Sequence, residues 1–349
     1  ITAHDNMLWA WQKARKAFSI GDIWFCNYQL SKFEANLDYE LKSIIQDIRN
    51  GKYKLELLHI STFPKGFDND KNQSRARQAF YVSVRDQVTW LAVCNVIAAD
   101  FDQKMPAWSY GNRIYRPAWY EFNDEKELII GNYRNSNGHI YRKWKQSWPL
   151  FRKHITATLK IMSNPKINDY ITLENREEDI ETIKVIEEND KLEANQQLVY
   201  LSKGYFNNEK TDEIYWASLD LEKFYPNLNC KIIKNTLLNY ESSRSRKNDL
   251  FSNLINSLFD FKIDYSQWNK KELQALDLSQ DIEYKGLPTG LLVAGFLANV
   301  ALLKVDKEVN KSLDNNNNIA HFRFVDDHVI LSTDFDDLVS WIKDYIRLL

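Results

Sequence analysis

Cysteine is scarce in this chain. The three present, Cys26, Cys94 and Cys230, are scattered, and none forms a C-x-x-C pair. That excludes a disulfide framework and a thiolate zinc ribbon, and it fits a reducing cytoplasm. Apolar runs are short. None approaches the roughly 20 residues a helix needs to cross a bilayer, and the first residues carry no secretory signal pattern, so no membrane partner is expected. Ten Gly and seven Pro among 349 residues are too few for a loop-rich or disordered chain. Neither sign of charge dominates: 46 Lys and Arg against 48 Asp and Glu give a net charge of -2. This excludes a uniformly basic nucleic-acid binder and leaves room for local patches. His4, His59, His139, His154 and His321 stand at no metal-ligand spacing. The chain opens on Ile and ends inside the helical pattern "IKDYIRLL", which reads as truncation at both ends.

What is present is a core. Apolar residues make up 44 % of the chain, with 11 Trp, 18 Tyr and 18 Phe, enough for two or three packed subdomains. From Arg134 to Lys160 there are seven Lys or Arg and no acid, interleaved with Tyr141, Trp144, Trp148 and Phe151. Such a composition suits a surface that follows phosphates and stacks on bases. It equally suits an amphipathic helix with aromatics inward and cations outward. The following stretch, 173–197, is strongly acidic and reads as a solvated helix or an insertion.

Periodicity places the elements. "HDNMLWAWQKARKAFSI" is helical with a basic face. "SKFEANLDYELKSIIQDIRNGKY" reads as one helix, opened by a Ser31–Glu34 capping box and closed at Gly51. "LELLHISTFPKG" is a strand entering a turn, and "SRARQAFYVSVRDQVTWLAV" a strand followed by a long apolar helix. "EIYWASLDLEKFYPNL" begins as a strand. "GLPTGLLVAGFLANVAL" is a turn leading into a buried helix, and "HFRFVDDHVILS" is a β-hairpin with acids at its tip. The sum is an α+β fold, with helices backing an antiparallel sheet.

The two strands bearing Asp220 and Asp326–Asp327 raise a chemical question, because unpaired carboxylates on buried strands are costly. Two carboxylates brought close together repel unless divalent cations lie between them, and hard oxygen ligands suit Mg²⁺. Two such ions can activate an attacking hydroxyl and stabilise a leaving oxygen in phosphoryl transfer. An adjacent Asp pair is also an ordinary turn signal.

Several motifs in order carry a resemblance. "SLDLEKFYPNL", "GLPTGLLVAGFLANVAL" and "FVDD", with "RQAFYVSVRDQVTWLAV" and "SYGNR" upstream, together resemble the reverse transcriptases of bacteria. The opening helices, "AGFLANVAL" and "FVDDH" look closest to the defence-associated groups, the abortive-infection type among them. The resemblance implies a right-hand polymerase core. Residues 1–212 would be N-terminal helices and fingers, residues 213–349 the palm with its antiparallel sheet, and no thumb is evident. It implies RNA-directed DNA synthesis in the cytoplasm, on an RNA template with dNTPs and a DNA product. Two Mg²⁺ ions would serve, with Mn²⁺ as a substitute.

Residue by residue, the resemblance makes Asp220, Asp326 and Asp327 catalytic, with Asp220, the Leu221 carbonyl and Asp326 as metal ligands. Lys71, Arg77, Phe224, Tyr225, Thr289 and Gly290 would bind the nucleotide. Arg77, with Arg75 as its substitute, would pair with the triphosphate, and Tyr225 would bar a ribose 2′-OH. Thr289 departs from the Gln usual at its position. Gly286, Pro288 and Gly290 would let the backbone approach a nucleotide closely. Asn299 would tie its helix to the palm, and His328 reads as structural. Arg113, Arg142, Lys143 and Lys145 would meet nucleic acid. Antiphage defence, a non-coding RNA or partner protein, and a homo-oligomer are further implications. Two alternatives stay open: template-independent or protein-primed DNA synthesis on the same fold, and a catalytically silent nucleic-acid scaffold.

Overall fold

The computed structural model describes residues 1–21, 25–68, 73–115, 120–125, 128–130, 138–163, 198–201, 205–206, 213–240, 249–275 and 283–349. The acidic stretch 173–197 and Lys71 lie outside them. In chain order the helices are α1 (His4–Ile20), α2 (Asn27–Ala35), α3 (Leu37–Arg49), α4 (Val84–Asp102), α5 (Trp144–Ser163), α6 (Phe224–Asn227), α7 (Cys230–Leu238), α8 (Asp249–Leu258), α9 (Lys270–Ala275), α10 (Ala294–Leu313) and α11 (Phe335–Leu348). The strands are β1 (Leu58–Asp68), β2 (Gln73–Tyr81), β3 (Tyr120–Phe122), β4 (Leu128–Ile130), β5 (Tyr215–Asp220), β6 (Ile263–Asp264), β7 (Ile319–Phe324) and β8 (Asp327–Ser332). No described helix is long and apolar enough to cross a membrane. Mixed helix with small sheets is the expected α+β class.

The chain forms two compact units, each discontinuous in sequence: Ile1–Ala98 with Lys223–Ala301, and Ala99–Glu222 with Leu302–Leu349. The first unit holds the sheet β2-β1-β6, in which β1 pairs antiparallel with β2 and parallel with β6. Its N-terminal helices differ from expectation. Asn36 ends α2 and begins α3, so Ser31 sits inside α2 and no Ser31–Glu34 capping box forms. Gly51 does close α3, with φ 65 and its N–H donating to the Ile48 carbonyl at 3.0 Å.

The second unit holds the antiparallel sheet β5-β8-β7. β5 alternates between half-buried and exposed residues, while every residue of β7 is buried. The core around it gathers Tyr110, Phe151, Met162, Tyr200, Phe322 and Leu331. The burial of β7 forces its polar residues to find partners inside. Trp341 Nε1, a donor only, donates to His321 Nδ1 at 3.2 Å. His321 therefore carries its proton on Nε2 and donates to His328 Nδ1 at 3.3 Å, which also accepts from the Tyr345 hydroxyl at 3.2 Å. His328 is thus a buried structural residue, facing away from its exposed neighbour Asp327.

Burial holds these imidazoles neutral. It lowers His154 and His321 to about 3 and His328 to about 2. An unfolded histidine takes up a proton near pH 6.5, so below that pH the unfolded state binds protons that the native state refuses, and stability falls with acid. Each such proton is worth about 1.4 kcal/mol per pH unit. Asp86 and Asp306, raised by burial to about 6, act with opposite sign until the unfolded carboxylates protonate near pH 3.9. The expected result for these five groups is a shallow loss of stability between pH 6 and 4, then a steep one below 4. Urea midpoints at pH 7, 5, 4 and 3.5 check it; stability that is flat or rising from pH 5 to 3.5 would refute it.

Candidate active site

The acids meet at one end of the β5-β8-β7 sheet. β5 ends on Asp220, β8 begins on Asp327, and the two stand directly opposite in register. Asp326 lies in the tight turn between β7 and β8, behind Val325, whose φ is 63. A β-branched residue in the left-handed region is strained by about 1–3 kcal/mol, a level that persists where the surroundings impose it. Here the surroundings are identifiable. The Arg323 N–H donates to the Trp108 carbonyl and the Tyr110 N–H to the Arg323 carbonyl, both at 2.9 Å. Residues 108–110 thereby add to the edge of β7. Gly111 follows, where a Cβ would overlap the Val325 side chain and crowd its backbone nitrogen at 2.7 Å. The glycine of "SYGNR" thus makes room for the acid turn.

The electrostatics of the turn are unbalanced. Like charges directly opposite on paired strands destabilise a sheet. Asp327 is pushed above the usual carboxylate range, by burial first and then by the charges of Asp326 and Asp220. Among the described residues Asp220 and Asp327 have no cationic partner. Oxygen donors carrying excess negative charge fit a hard divalent cation, and Asp220, Asp326 and Asp327 are the residues that could hold it. The carboxylates line the sheet end without converging: among the described residues no three Asp, Glu, His or Cys side chains form a ready metal cluster.

The expected nucleotide residues fall in the first unit, and several are drawn together there. Phe224 is buried and Tyr225 half-buried, their rings 5.4 Å apart. The Tyr225 carbonyl accepts the Leu287 N–H at 3.0 Å, which docks α6 on the "GLPTG" loop. The Thr289 hydroxyl donates to the Gln78 carbonyl at 2.7 Å, and its own carbonyl accepts the Phe80 N–H at 2.6 Å. Thr289 therefore binds the edge of β2 with the group expected to meet a nucleotide. The glycines lie close against protein backbone. A Cβ at Gly286 would overlap the Pro226 carbonyl, and one at Gly290, where φ is 126, would overlap the Phe80 carbonyl. Both close approaches are to protein backbone, so neither glycine requires a ligand to explain it. Arg77 lies on β2 opposite Phe63, and Arg75 opposite Gly66. Asn299 is buried in α10.

The expected nucleic-acid residues divide. Lys143 and Lys145 are exposed and Arg142 is half-buried. Arg113 is only 2 % exposed. It donates to Asp102 at 2.8 Å and to the Pro106 and Ser109 carbonyls at 3.0 and 2.9 Å. Arg113 braces the turn that flanks β7. An Arg beside a Gly-containing turn gives no sequence signal of such bracing. The sequence also gave no notice of Arg323 and Asp306, a fully buried ion pair at 2.6 Å directly behind the acid turn.

A family model for the reverse transcriptase (RNA-dependent DNA polymerase) matches residues 166–348. A comparison with curated proteins finds no match.

Proposed function

The chain belongs to the reverse transcriptase family, a nucleotidyltransferase that copies RNA into DNA from dNTPs and uses divalent metal ions, and from that premise we propose that Asp220, Asp326 and Asp327 form its catalytic centre. The observation that supports this is the carboxyl of Asp327 raised by the charges of Asp326 and Asp220 at one sheet end, with no cationic partner for Asp220 or Asp327 among the described residues. Asp220, Asp326 and the Leu221 carbonyl would hold two Mg²⁺ ions, which when bound supply an activated primer hydroxyl and stabilisation of the departing pyrophosphate. Asp327 shapes the charge of the same sheet end. Lys71 and Arg77 receive the triphosphate, for which a guanidinium fork is well suited.

Tyr225 stands five residues after Asp220, and we assign it the sugar gate, with Phe224 behind it. A phenol ring against the 2′ position admits dNTPs and clashes with NTPs. In competition on an RNA template the wild type should favour dNTPs. Tyr225→Ala should raise NTP incorporation about 10-fold or more, the loss of roughly 1.4 kcal/mol of discrimination. Primer extension with mixed nucleotides reads both. Wild-type preference for NTPs, or no change in Tyr225→Ala, would refute the gate.

The resemblance to defence-associated groups supports a role in resisting phage. Cells carrying the complete system with Asp326→Ala should lose protection in a plating assay; unchanged plating would refute it.

A further inference from the structure

Helix α5 carries a feature that polymerisation chemistry leaves unexplained. Trp144 is 62 % exposed, yet it is not a loose surface indole. Its ring stacks on Trp148, with centroids 6.2 Å apart and planes within 14°. Trp148 in turn meets Phe324 edge-on at 5.0 Å and 89°. Phe324 ends β7 and pairs in register with Asp327. The three rings make a ladder from solvent to the foot of the acid turn. With one face on Trp148 and most of its surface exposed, Trp144 presents its other face to solvent.

The charge along the helix and its approach has one sign. Residues 138–163 contain Arg142, Lys143, Lys145, Arg152, Lys153 and Lys160 and no Asp or Glu. Lys143, Lys145, Arg152 and Lys160 take part in no ion pair among the described residues. A core-facing role accounts for Phe151, which is buried, and in part for Trp148. It does not account for an indole held flat in water among the exposed cations Lys143, Lys145 and Arg152. An aromatic face with a cationic rim complements an unpaired nucleobase on its phosphate backbone, because every base has a π-face and stacking tolerates any sequence.

We propose that Trp144 is the outer step of a stacking platform for an unpaired base of the RNA template strand, with Lys143, Lys145 and Arg152 following its phosphates. The proposal rests on the reverse-transcriptase reading for the identity of that strand and on the ring ladder for its location. Stacking platforms lose between about 5-fold and 150-fold in affinity when one ring is removed.

The test measures binding of a fluorescent oligo(U) 20-mer and of the DNA oligomer of the same length, alongside extension on an RNA template. It compares the wild-type protein with Trp144→Ala, Trp144→Phe and, as a control distant in sequence, the exposed Tyr39→Ala. Circular dichroism verifies folding, which an exposed position should leave unchanged. The expected result is RNA affinity at least 5-fold weaker in Trp144→Ala, largely restored in Trp144→Phe and unchanged in Tyr39→Ala. Equal RNA affinity in Trp144→Ala and wild type would overturn the proposal, while extension by both would leave the polymerase reading standing. A loss seen for DNA and not for RNA would also overturn it, by assigning the ring to the product strand. A wild type that fails to extend on RNA at all would remove the polymerase reading and the proposal together.

Discussion

Replacing Asp326 by Ala should abolish DNA synthesis and leave the protein folded. If Asp326 holds metal beside the reacting phosphate, its loss removes stabilisation present only in the transition state. A fall on the order of 10³-fold in rate corresponds to about 4 kcal/mol, within what metal-ion charge stabilisation supplies. Stability should respond weakly. Asp326 lies at a turn, half-buried, and its removal relieves part of the repulsion that raises Asp327. Surface substitutions of this kind stay within about 0.5 kcal/mol. Asp327→Asn should be milder than Asp326→Ala, because its expected part is to tune charge and not to carry metal. Primer extension with Mg²⁺ and thermal unfolding, measured on the same preparations, separate the two effects. Wild-type rates in Asp326→Ala would end the assignment of Asp326 as catalytic. Loss of activity accompanied by unfolding would reduce it to a structural residue.

Local pattern was legible wherever a single element decided the outcome. The alternation of "YWASLD" marks β5, and the apolar runs either side of Val325 mark β7 and β8. The Gly/Pro punctuation of "GLPTG" marks the loop ahead of α10. Residues that act across sequence distance were not legible. Gly286 and Gly290 read as glycines that let something approach closely, and only tertiary structure supplies the carbonyls of Pro226 and Phe80 as close neighbours. The Thr289 hydroxyl closes on Gln78, 211 positions away, a pairing that no local pattern signals. Asn36 shows the same limit at short range. One amphipathic pattern spans α2 and α3, and periodicity alone does not reveal the break between them. Nothing in the local pattern marks Arg113 or Arg323 as buried, because Arg is usually exposed. Only tertiary structure supplies Asp102 and Asp306 to bury them against.

That last pair carries the second large effect. Arg323 and Asp306 are both buried, Nη2 to Oδ2 at 2.6 Å, and Arg323 precedes Asp326 by three residues on the strand that delivers it. Burial drives Asp306 up to about 6, against the pull of Arg323 and Arg113, and its second oxygen is buried without a hydrogen-bond partner among the described residues. Such a pair contributes little net stability when intact, yet breaking it strands a charge in the core. Asp306→Ala should therefore destabilise by about 3–5 kcal/mol, a large share of the roughly 5–15 kcal/mol that holds a domain folded. Asp306→Asn, which keeps an acceptor for the guanidinium, should lose less. The double variant Asp306→Leu with Arg323→Met should recover much of the loss, because neither charge of the pair is then left buried without its partner. Polymerase activity should fall with Asp306→Ala, since the guanidinium no longer anchors β7 beneath the acid turn. Urea unfolding of the three variants decides the matter. A change below about 1 kcal/mol in Asp306→Ala, the usual scale of an exposed ion pair, would mean that water reaches the pair and that β7 does not depend on it.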